Sequence, residues 1–344
     1  MLSNSNRASF PAAGSLNRTS GQRFTAGGQL SRQAGNHLLI AALEHESEDF
    51  RARDQIYFGG TDQDRSRSLT ALVGEWRADW SSVVSTDLAL RHDGFSAFAD
   101  AASFRGSVIL RPASGWQIHT AYGEGIAQPT FYDLFGFFPG SFRGNPDLRP
   151  ERSRGIEAGL RWAGNNVALG ITGFANRLRD EIVPTYDPAT FLSGTANAAG
   201  RSRRRGVELE ASYRPSPVLL ITANYTHVDA DEAQVVGGAA VREIRRPRHS
   251  ANLVASGASG RFSWSTSAAY VGARTDTDFD PFPSRLVRLD DYLLGSLRLG
   301  WKLTPQLEAY ARAENAFDDR YRDVVGYRTP GRTVYAGIRL RLGD

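Results

Sequence analysis

From about residue 21 to the C-terminus, apolar and polar residues alternate one by one, and the polar set carries the charge. Val207, Leu209, Ala211 and Tyr213 alternate with Glu208, Glu210 and Ser212. Leu307, Ala309, Ala311 and Ala313 alternate with Glu308, Tyr310, Arg312 and Glu314. Side chains along a strand point to opposite faces in turn, so each such segment has one apolar face and one charged face. About fifteen of these segments follow one another, each of roughly ten to fourteen residues, longer than the strands of most soluble sheets.

The connections alternate as well. Short turns are read near Gly35–Asn36, Ser81–Ser82, Ala113–Gly115, Gly164–Asn166, Pro215–Pro217, Ser259–Gly260 and Leu303–Pro305. Long loops cover about 50–65, 95–101, 126–152, 183–202, 230–246, 275–287 and 316–330. Short turns at one end of a wall and long loops at the other are what an up-and-down membrane barrel requires. The charged face holds Glu157, Arg161, Arg298, Arg339 and Arg341, and an Arg turned to lipid at mid-depth costs ~2–4 kcal/mol. The sorting of charge therefore predicts a polar lumen and an apolar exterior. Trp76, Trp80, Trp116, Trp162, Tyr213 and Trp301 sit near short turns on the apolar face, where an interfacial girdle belongs.

The expected fold is an all-β, antiparallel, transmembrane up-and-down β-barrel over 21–344, preceded by an irregular segment or broken strand over 1–20. A soluble sandwich or propeller is the other reading of alternating strands. The chain lacks a run of about 18 apolar residues, so no transmembrane helix is expected. It contains no Cys, which removes disulfides and thiolate chemistry. The net charge of +4 is small, and the basic residues are almost all Arg, so nucleic acid is not an expected partner. The first twenty residues show no basic region followed by an apolar one, so this stretch is not read as a signal peptide.

Several ordered motifs carry a family resemblance. The run Ala127-Gln128-Pro129-Thr130-Phe131-Tyr132-Asp133-Leu134, followed by Gly144-Asn145-Pro146-Asp147-Leu148-Arg149-Pro150-Glu151, resembles a barrel loop of the TonB-dependent outer-membrane receptors. Gly173-Phe174-Ala175-Asn176-Arg177 and Arg205-Gly206-Val207-Glu208-Leu209-Glu210 are similar to strands of the same family. So is the end, from Glu314-Asn315-Ala316-Phe317 to Gly331-Arg332, which is most similar to the cobalamin-receptor branch. The resemblance implies an outer-membrane barrel of about 22 strands, of which this chain would hold about 14–16. It implies capture of a scarce metal chelate by outer loops, cobalamin first and ferric siderophore second, with uptake driven by the inner-membrane TonB complex. The family's plug domain and TonB-contacting segment are not found in this sequence, so energised transport by this chain alone is not expected. Barrels of the family usually end in an aromatic residue; this chain ends Leu342-Gly343-Asp344.

Phe131, Tyr132, Phe135, Phe137, Phe138 and Phe142 cluster on the longest expected outer loop. They read either as an aromatic surface for a large ligand or as rings that pack the loop over the barrel mouth. Asn145-Pro146-Asp147 reads as a turn in which Asp147 bonds its own backbone. Arg201, Arg203, Arg204 and Arg205 enter a strand from a long loop; they would pair lipopolysaccharide phosphates or solvate the rim. Asp276-Thr277-Asp278-Phe279-Asp280 spaces carboxylates as calcium loops do but lacks the Gly and the distal Glu, so it reads as a solvated loop and no metal is expected. The scattered His residues and the lack of any nucleophile or phosphate motif in context point to no catalytic site and no cofactor. A passive porin-like channel is the alternative function, and an outer-membrane hydrolase barrel stands behind it.

Overall fold

The computed structural model describes residues 2–10, 14–54, 58–138, 140–234 and 239–342, with side chains from Arg18 onward. The first strands are β1 (Leu2–Phe10), β2 (Gly14–Ala34), β3 (His37–Asp54), β4 (Gln63–Asp79), β5 (Val84–Phe95), β6 (Ala101–Leu110) and β7 (Trp116–Ala127). A short helix α1 (Phe131–Phe135) precedes β8 (Phe142–Arg143), β9 (Glu151–Ala163), β10 (Val167–Arg179), β11 (Ile182–Asp187), β12 (Leu192–Asn197), β13 (Arg201–Ser216) and β14 (Leu219–Glu232). The remaining strands are β15 (Val241–Arg242), β16 (His249–Ser259), β17 (Phe262–Val271), β18 (Arg274–Asp278), β19 (Arg285–Leu289), β20 (Tyr292–Lys302), β21 (Leu307–Glu314) and β22 (Thr333–Leu340).

Among the described residues, seventeen strands form one sheet. Each wall strand pairs antiparallel with the next one along the chain, from β1–β2 to β21–β22. This is the all-β, up-and-down wall that the alternation predicts. The short strands β8, β11, β12, β18 and β19 make two small sheets inside the long connections. Among the described residues, β1 and β22 are paired on one side only, so the wall is open between them. The expected irregular stretch 1–20 carries β1 and the start of β2, with a register shift at Ala8/Ser9; residues 11–13 lie outside the described residues. So do Gly343 and Asp344, at the end where barrels of the family usually carry an aromatic residue.

Register carries the parity of one strand onto the next. Leu209 stands between Ile171 and Tyr225, and Glu210 between Gly170 and Asn224. The apolar face is not covered by protein. Leu30, Leu72 and Ile338 are 76%, 59% and 69% exposed, whereas among the described residues the buried hydrophobic cluster comprises Val183, Ala198 and Ala233 in and beside the loops. Soluble proteins rarely expose so continuous an apolar surface; a wall whose outer solvent is lipid does so by construction. No helix among the described residues is long and apolar enough to cross a membrane, and the crossing elements here are strands.

The opposite face holds paired charge. Glu48 accepts from Arg23 and Arg67 across β2, β3 and β4. Arg91 bridges Glu44 and Asp93, each at 2.7 Å. Glu308 takes Arg298 and lies 3.8 Å from Arg339. Aromatic rings gather at the short-turn end, as expected: Trp76 meets Trp80 at 5.5 Å, Trp116 meets Trp162 at 6.3 Å, and Phe262 meets Trp301 at 6.3 Å. Gly115 shows why that end is tight. Its φ is +78°, and a Cβ there would lie 2.3 Å from the Ala163 carbonyl oxygen of the neighbouring hairpin.

The long loops are pinned by polar contacts. Asp276, expected to be solvated, is fully buried (0% exposed). Its carboxylate accepts from Arg245 Nε at 2.6 Å, from the Val325 N–H at 2.8 Å and from the Thr277 N–H at 2.8 Å, tying three loop segments together. Burial alone would raise this carboxyl; the Val325 N–H, the Arg245 guanidinium and the Thr277 N–H outweigh it and hold the group below the usual carboxylate range.

Two outcomes follow. Ile171→Arg, on the outward face, should destabilise the wall by ~2–4 kcal/mol where it sits near mid-membrane, while Glu208→Arg one strand over on the inward face should fold normally. Heat-modifiable migration on gels and urea unfolding in lipid vesicles would measure the difference; equal losses would reverse the assignment of faces. Because the folded Asp276 is depressed relative to the unfolded chain, its stabilisation is present above the ordinary carboxylate range of about 4 and is lost as pH falls through the lower folded value. Proteolytic nicking of the 316–330 loop should therefore rise on acidification, and Asp276→Ala should show the same nicking at neutral pH.

Candidate functional site

The connection between β7 and β9 begins with a capped helical turn. Thr130 is the N-cap of α1: its hydroxyl accepts from the Asp133 N–H at 3.1 Å, and the Asp133 carboxylate accepts from the Thr130 N–H at 3.0 Å. Gly136 ends the turn with φ +54°, a conformation that favours glycine, and its N–H reaches the Tyr132 carbonyl at 2.8 Å. A reversal this sharp brings the rings together. Tyr132 stacks on Phe142 at 4.1 Å and meets Phe137 edge-on at 4.9 Å; Phe137 meets Phe138 at 5.0 Å. Burial pushes the Tyr132 hydroxyl up.

The loop does not stand free. It folds across the inward side of the wall to β3 and β4, whose upper ends hold Phe50, Gln63, Arg65 and Arg67. Phe50 stacks on Phe131 at 5.5 Å and approaches Phe137 at 5.6 Å. Gln63 Nε2 donates to the Gly136 carbonyl and Arg67 Nη1 to the Pro129 carbonyl, both at 2.6 Å. The Arg65 guanidinium lies 4.0 Å over the Phe135 ring and that of Arg67 4.6 Å over Phe131, both within cation–π range.

The far end of the loop is bolted in the same way. Asn145 Oδ1 accepts from the Asp147 N–H at 3.1 Å, so the turn is capped by the Asn145 side chain in place of the expected bond from the Asp147 side chain, and Asn145 Nδ2 donates to the Thr195 carbonyl at 3.1 Å. Asn197 clamps the strand entry, accepting from the Arg149 N–H at 2.8 Å and donating to the Arg149 and Asp180 carbonyls at 2.9 and 2.7 Å. Leu134 and Leu148 are buried beneath.

A hollow of about 430 Å³ opens between this loop and the β3–β4 turn, lined among others by Thr61, Gln63, Arg65, Phe135, Phe138 and Arg143. Of the aromatic residues expected from the sequence, Phe135, Phe137, Phe138 and Phe142 line it, whereas Phe131 and Tyr132 serve as the packing beneath. Gln63, Arg65 and Arg143 were not among the expected site residues. The first two lie some seventy positions upstream of the loop (|i−j| is 73 for the Gln63–Gly136 contact), and their inward parity on β4 was the available signal.

The second candidate group splits as well. Arg201, Arg203 and Arg205 share the outward face of β13 with Val207 and Leu209. Arg204 points to the other face, where its Nε lies 2.7 Å from Glu243 and its Nη2 3.6 Å from Glu181. It is removed from the set that could meet lipid, because alternation puts Arg204 on the opposite face from its neighbours Arg203 and Arg205. Among the described residues no group of three or more His, Cys, Asp or Glu could hold a metal ion.

Known proteins share this architecture. The iron transporter FrpB of Neisseria meningitidis superposes with a TM-score of 0.76 at 16% identity over 95% of this chain and 56% of its own. The siderophore receptor PirA of Acinetobacter baumannii gives 0.77 at 16% identity, over 94% of this chain and 55% of its own. The ferric enterobactin receptor PfeA gives 0.79 at 17% identity, again over 94% and 55%. The chain thus spans a little over half the length of these solved barrels. A family model described as "TonB dependent receptor-like, beta-barrel" matches residues 2–316. This chain therefore belongs to the TonB-dependent receptor β-barrel family, a family of receptors and not of enzymes.

Proposed function

We propose that the hollow beneath the 128–150 loop is a recognition site for an anionic, aromatic metal chelate, which the complete receptor imports across the outer membrane. The observation that carries this reading is the chemistry of the lining: phenyl rings with guanidinium groups set among them. Rings offer flat faces for stacking and guanidinium groups neutralise acidic oxygens, and a catecholate chelate of iron presents both features. The similarity to the ferric enterobactin receptor PfeA supports the same ligand class. This puts ferric siderophore ahead of cobalamin, the reverse of the order taken from the closing motif alone. Energy from the inner-membrane TonB complex is part of the reading through family membership.

The loop would act as a preorganised mouth. Its caps, stacked rings and bonds to Gln63 and Arg67 hold the lining before ligand arrives, which lowers the ordering cost of binding. The paired charges of the inward face would then meet the transport machinery on the ligand's path.

Binding to the full-length receptor in detergent, followed by intrinsic fluorescence quenching, tests the ligand class. A ferric catecholate should bind, and Phe135→Ala and Arg65→Gln should each weaken it by about tenfold or more, as for central aromatic and arginine anchors. Cobalamin binding with no catecholate binding would sink the proposed chemistry. Steady conductance of the reconstituted receptor in a planar bilayer would favour a passive channel instead.

A further inference from the structure

The outward face of the wall carries a dense cluster of like charge on three adjacent strands. Strands β9, β10 and β13 are adjacent, and their registers bring arginines into line. Arg177 stands opposite Arg154 on one side and Arg203 on the other; Arg179 stands opposite Arg152 and Arg201. The two rows lie on the face that holds Ile156, Leu160, Ile171 and Leu209, at the ends of these strands that run into long loops. Like charges directly opposite one another destabilise a sheet. Little nearby offsets them: Arg154 Nε is 3.0 Å from Glu124 and Arg205 Nη2 is 3.2 Å from Asp229, but Arg152, Arg177, Arg179, Arg201 and Arg203 make no hydrogen bond or ion pair among the described residues. A niche of about 90 Å³ opens between Arg152, Arg154, Arg177, Arg179 and Arg201.

The surface below the rows is also shaped. Ala158, Gly173 and Ala175 leave a hollow of about 750 Å³ beside Ile156 and Val207, next along the wall from the arginine rows, with Arg205, His227, Asp229 and Arg248 also in its lining. The apolar face continues beyond it through Leu160, Ile171 and Leu209. A cationic shelf above a trough that is apolar on the β9 and β10 side complements an amphiphile with several phosphates and several acyl chains.

We propose that this face binds lipopolysaccharide, its phosphates held by the rows Arg154–Arg177–Arg203 and Arg152–Arg179–Arg201 and its acyl chains laid in the trough beneath. Planar guanidinium groups suit bidentate contact with phosphate oxygens, and the bound anion offsets the repulsion across the rows. The proposal rests on the outer-membrane location that family membership implies and is independent of which chelate the mouth recognises.

The test uses the full-length receptor, freed of bound lipid in detergent at fixed salt, with its thermal unfolding midpoint followed as lipid is added. Bisphosphorylated lipid A should raise the midpoint and bind about tenfold or more tightly than its dephosphorylated form or phosphatidylglycerol. The variant R154Q/R177Q/R203Q should lose a similar factor, and Arg312→Gln, on the inward face of β21, should lose nothing. Should the triple glutamine variant fail to fold, the corresponding triple lysine variant serves: it keeps the charge but not the fork, and should bind more weakly than wild type. Wild-type affinity should fall as NaCl is raised. Equal binding of the dephosphorylated lipid, or salt-independent affinity, overturns the phosphate contact. Equal binding of phosphatidylglycerol overturns the glycolipid assignment. A midpoint shift reproduced by inorganic phosphate means an adventitious ion only. Loss of chelate uptake with lipid binding intact would count against the mouth and not against this face.

Discussion

Backbone hydrogen bonding in a medium without water is the constraint on which the structure depends. Every N–H and C=O of a wall strand must be met by a neighbouring strand, and a meander of antiparallel pairs does this with short connections. Once the ladder is set, side chains have only two directions. One of them faces lipid, and that decides the composition of the other. The ion pairs of the inward face, such as Arg91 with Glu44 and Asp93, are the residue of this sorting, not the source of the fold.

The long loops answer a different problem. They leave the ladder, so their own polar groups need partners. Asp276 meets two backbone N–H groups and one guanidinium, Asn197 serves three backbone groups, and the aromatic loop borrows Gln63 and Arg67 from strands that are distant in sequence. The result is a mouth whose shape is held by hydrogen bonds and whose surface is left to rings and guanidinium groups. A ligand can use what the fold does not.

The mouth and the arginine rows use opposite faces of the same wall. Inward, Arg65 lies over Phe135 in the wall of a confined hollow, and Arg67 lies over Phe131 in the packing beneath it. Outward, the rows on β9, β10 and β13 are spread along a surface, and among the described residues only Arg154 of the two rows has an ion-pair partner, Glu124. Two anionic groups of different size and solvation would be served without competition: a compact chelate and a membrane lipid.

The period-2 pattern by itself determined the strands, the inward or outward direction of their residues and the alternation of short and long connections, because backbone geometry leaves a strand no other choice. It also held the separation of Arg204 from Arg201, Arg203 and Arg205, which follows from Val207 and Leu209 without any coordinates. Only the tertiary structure decided which loop meets which strand. That Phe131 stacks on Phe50, or that Arg154, Arg177 and Arg203 form a row, depends on register and on a loop crossing the wall. Asp276 shows the same limit: its burial comes from Arg245 and Val325, far apart in the chain, and nothing in the local sequence Asp276-Thr277-Asp278 marks it. Local pattern fixes direction because side-chain geometry is local; it cannot fix partners, because those are chosen by the packing of segments that the chain brings together only when it folds.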